Sequence, residues 1–258
     1  MIIPKKSLGQ HFLRDENIAA KITGLLSPES ENILEIGPGT GILTKHLLRL
    51  QNKELWFIEV DRRSVEYLRE HFSEHSSRII HASFTEYDVS SLFQGNFSII
   101  GNFPYNISSQ IFFRALDLRD HVSEVIGMLQ KEVAERIASP PGSKRYGILS
   151  VLLQTWFDIH IAFTVNPKVF FPPPKVTSAV VHLQRNSRKT LSGREETYLP
   201  LVKTAFNQRR KTLKNALKDF RFSDNPEIPT LMTKRAEQLS VEDYLILNES
   251  ILPVADND

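Results

Sequence analysis

Residues 31–48 read ENILEIGPGTGILTKHLL, which is an apolar strand, a glycine turn and a helix in immediate succession. Gly37, Gly39 and Gly41 have the spacing G-x-G-x-G, not the G-x-G-x-x-G of the dinucleotide fingerprint. Glycines in such a turn let the backbone approach a ligand over the N-terminus of a helix. A tight turn that binds nothing is the alternative, and a lone glycine cluster does not decide between the two.

Strand-like and helix-like runs alternate along most of the chain around this stretch. Seven runs are apolar and rich in β-branched or aromatic residues, and we predict strands at 33–36, 55–60, 78–81, 97–100, 125–130, 159–165 and 179–183. Helical patterns predict helices at 42–50, 64–72, 109–116, 131–138 and 148–155, with a further helix capped by Asp15 near the start. The alternation predicts an α/β fold in which helices cover both faces of a mostly parallel sheet, with an antiparallel end. Residues from 197 onward read as helices only.

Composition excludes several classes of protein. The 258 residues are 41% hydrophobic and 24% charged, which is ordinary for a globular chain. No apolar run is long enough to span a membrane, and the start MIIPKKSL lacks the apolar region of a signal peptide, so we expect a cytoplasmic protein. The absence of cysteine excludes disulfides, thiolate metal sites and cysteine nucleophiles. His71 and His75 are four residues apart on a predicted helix without a third ligand nearby, so we predict no metal site.

An acidic residue ends the strand that follows the glycine turn. Glu59 closes the run LWFIEVD, 22 residues after Gly37, where a carboxylate can accept hydrogen bonds from both ribose hydroxyls of a nucleoside. Asp61 is the alternative, but it starts the next helix and suits a cap better. No Lys or Arg that would bind phosphate follows the glycines. The sequence therefore predicts a nucleoside cofactor without a pyrophosphate.

The stretch NFPYNISS at residues 102–109 follows the fourth predicted strand. The amino nitrogen of adenine is a poor nucleophile because its lone pair is delocalised into the ring. Two acceptors for its hydrogens, the side-chain oxygen of Asn102 and the carbonyl of Pro104, would localise that lone pair, and Tyr105 could stack on the base opposite a methyl donor. A simple Asn–Pro turn is the alternative, and in isolation it would be preferred. Beside a nucleoside site, the chemical interpretation is favoured.

Basic residues cluster in the predicted helical region. Against one acid, Asp219, residues 203–221 contain Lys203, Arg209, Arg210, Lys211, Lys214, Lys218 and Arg221. On a continuous helix at 100° per residue, all except Arg209 fall within about a quarter-turn of the surface. A solvated face is the usual explanation of such a run, but this face has one sign of charge. We therefore predict that it binds nucleic acid.

Matching stretches along nearly the whole chain give it a family resemblance. They are KKSLGQHFL, EIGPGTG, FIEVDR, NFPYNISS, RYGILSV, VFFPPPKVTSAVV, AFNQRRKTLKNAL and RAEQLSVEDY. With them the chain resembles the ribosomal RNA adenine N6-dimethyltransferases, specifically the 16S enzyme of the bacterial small subunit. The resemblance implies a Rossmann-like class I methyltransferase domain at residues 1–186 that uses S-adenosylmethionine, followed by a small helical RNA-binding domain at 187–258. It also implies 16S rRNA within the small ribosomal subunit as the partner, and we expect a monomer.

The resemblance also implies roles for particular residues. His11 and Leu13 would contact the cofactor from the N-terminal segment, Gly37 its methionine end, Glu59 its ribose, and Asn102 both the cofactor and the target. Phe170 would pack on the target adenine opposite Tyr105, with a core position as an even alternative. Ser83 aligns where the family usually has an Asp near the cofactor's adenine, and a hydroxyl accepts a hydrogen bond less strongly than a carboxylate.

Three other functions compete with this interpretation. A 23S rRNA adenine methyltransferase of the macrolide-resistance type shares the glycine turn and the N-x-P-Y pattern, but the tail RAEQLSVEDY argues against it. A non-catalytic ribosome-assembly factor would retain the fold alone, and the intact NFPY argues against that. A DNA adenine methyltransferase is the least favoured.

Overall fold

The computed structural model describes residues 2–253, and the chain divides into two compact units. The first unit contains the chain up to Ala134 together with Asp158–Arg185, and the second contains Glu135–Phe157 together with the chain from Asn186 onward. The domain boundary expected after residue 186 lies next to the division at Arg185. The sequence-based division, however, assigns residues 135–157 to the first domain.

Each of the seven predicted strands is present, and its ends differ from the prediction by at most three residues. The strands are β1 (Phe12–Leu13), β2 (Asn32–Ile36), β3 (Glu54–Glu59), β4 (Ile79–His81), β5 (Phe97–Asn102), β6 (Val122–Gln130), β7 (Phe157–Val165), β8 (Phe170–Phe171) and β9 (Ser178–Arg185). The helices between them are α1 (Glu16–Thr23), α2 (Thr44–Leu47), α3 (Arg62–His71), α4 (Ser108–Asp117) and α5 (Lys131–Ile137). Asp15 caps α1 as predicted, because its carboxylate accepts from the backbone N–H groups of Asn17 and Ile18.

Seven strands form one sheet in the order β4-β3-β2-β5-β6-β9-β7. Strands β2 to β6 pair in parallel, and β9 runs antiparallel to β6, as predicted for one end of the sheet. The chain builds outward from β2 through β3 to β4 and then returns to β5 on the other side of β2. The strand order therefore reverses between β2 and β5, and ligands bind at such a reversal beyond the carboxyl ends of the strands.

A second, two-stranded sheet was not expected from the sequence. β1 pairs antiparallel with β8, which places Leu13 opposite Phe170 and Phe12 opposite Phe171. Leu13 and Phe170 are both buried and belong to the main hydrophobic core together with Met128. The first residues of the chain are thereby tied to the segment that precedes β9.

The second unit is helical. Its helices are α6 (Ile148–Trp156), α7 (Glu195–Asn207), α8 (Leu213–Ala216), α9 (Ile228–Thr233) and α10 (Val241–Ser250). α6 packs against α7 and α10, which is why residues 135–157 group with the tail. A buried hydrogen bond of 2.8 Å joins the hydroxyls of Thr155 and Tyr198. Within residues 2–253, no helix has both the length and the apolar character needed to cross a membrane.

The expected continuous helix over residues 203–221 is wrong. α7 ends at Asn207, and α8 does not begin until Leu213. Between them, Thr212 is extended and forms a bridge with Arg235, and the backbone N–H of Leu213 donates to the carbonyl of Lys234 at 2.8 Å. These contacts with a later segment replace the helical hydrogen bonds, so the surface angle calculated for one helix does not apply.

Candidate active site

A cleft opens at the reversal of strand order, where β2, β3 and β5 end. Its lining comes from four segments: residues 8–12, Gly37 with Gly39, Glu59 with Val60, and residues 102–105. Three of these segments directly follow or end a parallel strand, so the sheet itself fixes their spacing. In the described part of the chain, no group of three or more His, Asp or Glu side chains is arranged to hold a metal ion.

The glycine turn forms the floor of the cleft. Gly37 has a φ of 66°, and a Cβ placed there would make an ordinary van der Waals contact with Pro104 Cδ at 3.9 Å, so the position is not crowded. Gly39 has a φ of 57°, and its Cβ would lie only 2.8 Å from Phe12 Cε1. Glycine is required at both positions by the backbone conformation, and at Gly39 also by the contact with Phe12.

Glu59 lies beside this turn with only 5% of its surface exposed. One carboxylate oxygen accepts from the backbone N–H of Gly39 at 3.0 Å, and the other accepts from the N–H of Asp61 at 2.9 Å. Burial raises the pKa of the Glu59 carboxyl, although these backbone donors oppose that effect. A carboxylate accommodates about four hydrogen bonds, so Glu59 can accept further ones from a ligand.

Asp61 is the most heavily hydrogen-bonded carboxylate near the cleft. Its side chain is fully buried and contacts Lys5 Nζ at 2.9 Å, Gln10 Nε2 at 3.2 Å and Arg63 Nη2 at 2.9 Å. Burial alone would raise its pKa, but hydrogen bonds from Arg63, Lys5 and Gln10 outweigh burial and hold the pKa well below its ordinary value. Asp61 also caps α3 by accepting from the backbone N–H of Arg63, as the sequence predicts.

Asn102 ends β5 with its side-chain amide held in one orientation. Its Nδ2 donates to the backbone carbonyl of His11 at 2.8 Å, which identifies the other amide atom, Oδ1, as the one free to accept. Within residues 2–253 that oxygen accepts no hydrogen bond. The carbonyl of Pro104 accepts from the N–H of Ile107 at 3.2 Å and keeps one lone pair. The cleft wall therefore offers two acceptors for the hydrogens of an amino group.

Tyr105 is the aromatic residue of this wall. Its hydroxyl pairs with the buried hydroxyl of Ser178 at 2.5 Å, and its ring stacks on His11 with centroids 5.3 Å apart. Burial raises the pKa of the Tyr105 phenol, so the group stays neutral and does not act as a base at neutral pH. The His11 ring is fixed in turn by its Nδ1, which lies 2.7 Å from the Pro172 carbonyl.

Phe103 anchors the loop that carries these groups. Its ring is 1% exposed and lies over Gly127 of β6, where an added Cβ would come within 2.3 Å of it. It also meets Phe112 of α4 edge to face, with centroids 5.9 Å apart. Because the sheet grips Phe103 from below, Asn102 and Pro104 on either side of it are held at the edge of the cleft.

Comparisons with known proteins agree with this architecture. The sequence profile of the family described as ribosomal RNA adenine dimethylase matches residues 3–252, which is nearly the whole chain. The chain belongs to the ribosomal RNA adenine dimethylase family.

Relatives of known name support the same assignment to the adenine dimethylases. A protein named ribosomal RNA small subunit methyltransferase A from Parabacteroides distasonis is 52% identical over 249 residues, covering 96% of this chain and 93% of the relative. A protein of the same name from Porphyromonas gingivalis is 53% identical over 251 residues, covering 94% and 95%.

Solved structures show that the adenine dimethylase fold extends over both units. A dimethyladenosine transferase from Plasmodium falciparum has a TM-score of 0.75 at 26% identity and covers 93% of this chain and 99% of its own. The 23S rRNA methyltransferase ErmE has a TM-score of 0.71 at 25% identity, covering 92% and 98%. The fold alone does not distinguish between these two kinds of enzyme.

Most of the site residues expected from the adenine dimethylase resemblance meet at the cleft. The structure brings together His11, Gly37, Gly39, Glu59, Asn102, Pro104 and Tyr105. These residues come from four separated segments, so their convergence is a property of the fold and not of sequence proximity.

Three of the expected residues do not line the cleft. Leu13 and Phe170 are 2% and 3% exposed, and they pair across β1 and β8 with their side chains in the core. In this structure Phe170 occupies the core position that the sequence left open, and His11 stacks on Tyr105. Ser83 follows the carboxyl end of β4, where its hydroxyl pairs with that of Thr85 at 2.8 Å.

Sequence reasoning missed several lining residues, of which Phe12 and Gln10 are the most informative. Both lie in the stretch KKSLGQHFL, which served only as a family marker. Phe12 packs on Gly39, and Gln10 bonds Asp61, but neither contact follows from residue spacing because the partners are 27 and 51 residues away. The only sequence signal for such a residue is the glycine turn itself, because a turn without side chains leaves space that another segment must fill.

The predicted RNA-binding residues lie in the second unit. Exposed side chains are found at all six positions: Lys203, Arg210, Lys211, Lys214, Lys218 and Arg221. Over the described residues, none of the six forms an ion pair. Arg209, which the sequence excludes from the basic face, instead donates to the carbonyl of Lys144 at 2.7 Å. The corrected helix boundaries thus leave the charge cluster intact.

Proposed function

We propose that this protein transfers methyl groups from S-adenosylmethionine to N6 of two adjacent adenines in a loop of 16S rRNA in the small ribosomal subunit, giving N6,N6-dimethyladenosine. The observation that carries the proposal is the free Oδ1 of Asn102. This oxygen lies beside the Pro104 carbonyl at the edge of a cleft that is also lined by Glu59, the carboxylate proposed to bind ribose. Membership of the adenine dimethylase family supports the same reaction.

The residues of the cleft fit the proposed cofactor. Gly37 lines the cleft without side-chain bulk, where a methionine tail would lie, and the Glu59 carboxylate can accept from ribose hydroxyls. His11 and Phe12 border the same cleft, as do Gly39 and Asn102. Among the described residues, no Lys or Arg side chain lines it, which suits a cofactor without phosphate groups. S-adenosylmethionine supplies a methyl group that its sulfonium has already activated.

The remaining chemistry falls to Asn102, Pro104 and Tyr105. Asn102 Oδ1 and the Pro104 carbonyl accept the two hydrogens of the target amino group and draw its lone pair out of conjugation with the ring. As positive charge grows on that nitrogen during transfer, both acceptors bind it more strongly than they bind the neutral amine. Tyr105 offers an aromatic surface for the base. The methylated nitrogen is positively charged and acidic, so its proton leaves to solvent after the methyl group is attached.

The names of the relatives favour the small subunit as the target. Relatives near 50% identity are called small subunit methyltransferases, whereas the 23S enzyme ErmE is 25% identical. We infer that the second unit contributes affinity for RNA through its exposed basic cluster. We further infer that the protein acts as a monomer on 16S rRNA in the cytoplasm.

A direct test uses small subunits that lack the modification. They are incubated with the protein and S-adenosylmethionine, and the digested RNA is analysed by mass spectrometry of its nucleosides. The proposal expects N6,N6-dimethyladenosine in amounts approaching two per subunit. Absence of any methylated adenosine would contradict it and favour the assembly-factor alternative, whose RNA binding does not require transfer.

A further inference from the structure

Residues 5–12 form one wall of the cofactor cleft, and we name this segment the strap. Five of its residues, 8–12, line the cleft, although the segment contains only a short 3-10 turn, Lys6–Leu8, and the first residue of β1. A segment with so little secondary structure takes its position from side-chain contacts. Those contacts therefore determine the shape of the cofactor site.

At its far end the strap is held by contacts of His11 and Phe12. The carbonyl of His11 accepts from Asn102, the His11 ring lies against the carbonyl of Pro172, and Phe12 pairs with Phe171. These contacts place the strap against the segment 102–105. None of these contacts involves the other end of the strap, around Lys5.

Asp61 fixes that near end. Its buried carboxylate receives Lys5 Nζ on one oxygen at 2.9 Å and Gln10 Nε2 on the other at 3.2 Å. Gln10 Oε1 in turn accepts from the backbone N–H of Lys5 at 2.8 Å, which closes the turn on itself. One carboxylate thus ties both ends of the turn between Lys5 and Gln10 to the junction of β3 and α3.

Asp61 also orients Glu59, the carboxylate proposed to bind ribose. The backbone N–H of Asp61 donates to Glu59 Oε1 at 2.9 Å. Strap position and Glu59 orientation therefore depend on one residue, and a shift of Asp61 would disturb both sides of the cleft together.

We infer that Asp61, with Lys5 and Gln10, is a latch that positions the strap over the cofactor, so that Asp61 is a positioning residue for cofactor binding in addition to a helix cap. The inference rests on the proposed use of S-adenosylmethionine. A strap that is already in place does not have to be ordered by the cofactor when it binds. Loss of the latch should therefore raise the dissociation constant of the cofactor, with little effect on the transfer step.

The test compares two variants that each remove one cation from the same carboxylate. Lys5→Met breaks the latch, whereas Arg63→Met removes a partner on α3 itself and leaves the strap untouched. Calorimetry with S-adenosylmethionine should show the dissociation constant raised about tenfold in Lys5→Met and less than about twofold in Arg63→Met. In the Asp61→Asn background, adding Lys5→Met should cause no further loss, because the ionic partner is already gone.

Two further readouts separate a latch from a general loss of stability. Hydrogen exchange of the cofactor-free protein should accelerate at residues 8–12 in Lys5→Met and stay unchanged in α3. The rate of transfer at saturating cofactor should stay within about twofold of wild type, because Asn102 holds the far end of the strap.

Equal affinities in Lys5→Met and Arg63→Met, or unchanged exchange in the strap, would overturn the inference. If the wild-type protein bound no S-adenosylmethionine, the proposed function would fall. The exchange experiment on the free protein would still decide whether Asp61 latches the strap.

Discussion

Asn102 divides the two ends of its side-chain amide between structure and chemistry. Its nitrogen donates to the strap at His11, and its oxygen stays free toward the cleft. The bond to His11 prevents the amide from rotating, so the acceptor is already in place before a base arrives. Preorganised groups of this kind stabilise a transition state without reorganising during the reaction.

Replacing Asn102 with Ala should leave the protein folded and lower the rate of methyl transfer on the order of a hundredfold or more, by analogy with the loss of one donor from an oxyanion hole. Some cofactor affinity should also be lost, because the His11 contact disappears. The matched control is Asn17→Ala, an exposed asparagine of α1 that does not line the cleft. Single-turnover rates near wild type in Asn102→Ala would show that Asn102 has no role in the chemistry and that NFPY is only a turn.

Glu35 is a second buried carboxyl group, located in β2 just before the glycine turn. It is 1% exposed, and Thr44 donates to it at 2.7 Å. Burial raises its pKa to about 8, with a smaller contribution from the nearby negative charge of Glu59. Because its ordinary value is 4.5, the folded protein holds this proton over a range of pH in which the unfolded chain has lost it.

Stability from this group is fully present below about pH 4.5 and is lost as the pH rises to about 8. Glu35→Gln keeps a neutral side chain at every pH. The variant should match wild type near pH 5 and become progressively more stable than wild type toward pH 8, by up to about 1.4 kcal/mol per pH unit. Urea denaturation at pH 5, 7 and 9 measures the difference. A pH-independent difference would show that Glu35 is ionised in the folded state.

The sequence predicted the location of a site residue where that residue ends a recognisable strand. Glu59 and Asn102 each end a strand that periodicity identifies, so their side chains belong at the carboxyl edge of the sheet. Phe12 and Gln10 act through contacts with distant residues and carry no local pattern. Leu13 and Phe170 were assigned by resemblance alone, and the pairing of β1 with β8 places both in the core.

The segment from α7 to Arg221 is not the single helix that was predicted, but it still exposes most of its basic side chains. The chain leaves the helix after Asn207, and Arg209 pairs with Glu237 at 3.7 Å. The six predicted RNA-binding side chains nevertheless remain exposed and outside ion pairs in the described structure. Phosphate contacts need only exposed positive charge, so a turn between two short helices can present it as well as one long helix can.

Replacing Arg210, Lys211 and Lys214 with Gln should weaken RNA binding and flatten its salt dependence by up to about one slope unit for each lost phosphate contact. Cofactor affinity should be unchanged, because the cleft lies in the other unit. The matched control removes three exposed charges elsewhere, at Lys21, Arg49 and Lys189. Binding titrations from low to high salt measure the slopes, and equal slopes in both triple variants would make the basic cluster an ordinary solvated surface.

Strands were predicted more reliably than the short elements. The five inner strands of the main sheet are buried apolar runs, and burial leaves a clear sequence pattern. β1 and β8 are two residues long, too short for any periodicity. The break at 208–212 arises from pairing with Lys234 and Arg235, a contact that local propensity cannot register.

At the scale of the whole molecule, the two units divide the work of finding a target. The cleft can grip one adenine, but a site that reads a single base cannot select one position among thousands. We propose that the basic cluster adds affinity that is independent of RNA sequence, since phosphates are alike everywhere. Selection must therefore come from the shape of a folded RNA that offers both contacts together, because linked contacts multiply only when the target satisfies both.

The most direct test of this account measures methyl transfer from S-adenosylmethionine to three substrates side by side: small subunits lacking the modification, large subunits, and 16S rRNA stripped of protein. Nucleoside mass spectrometry should find N6,N6-dimethyladenosine in the small subunits at the highest initial rate and little in the other two. Preferential methylation of large subunits would contradict the account and favour the 23S alternative, and equal rates on stripped RNA would refute selection by shape.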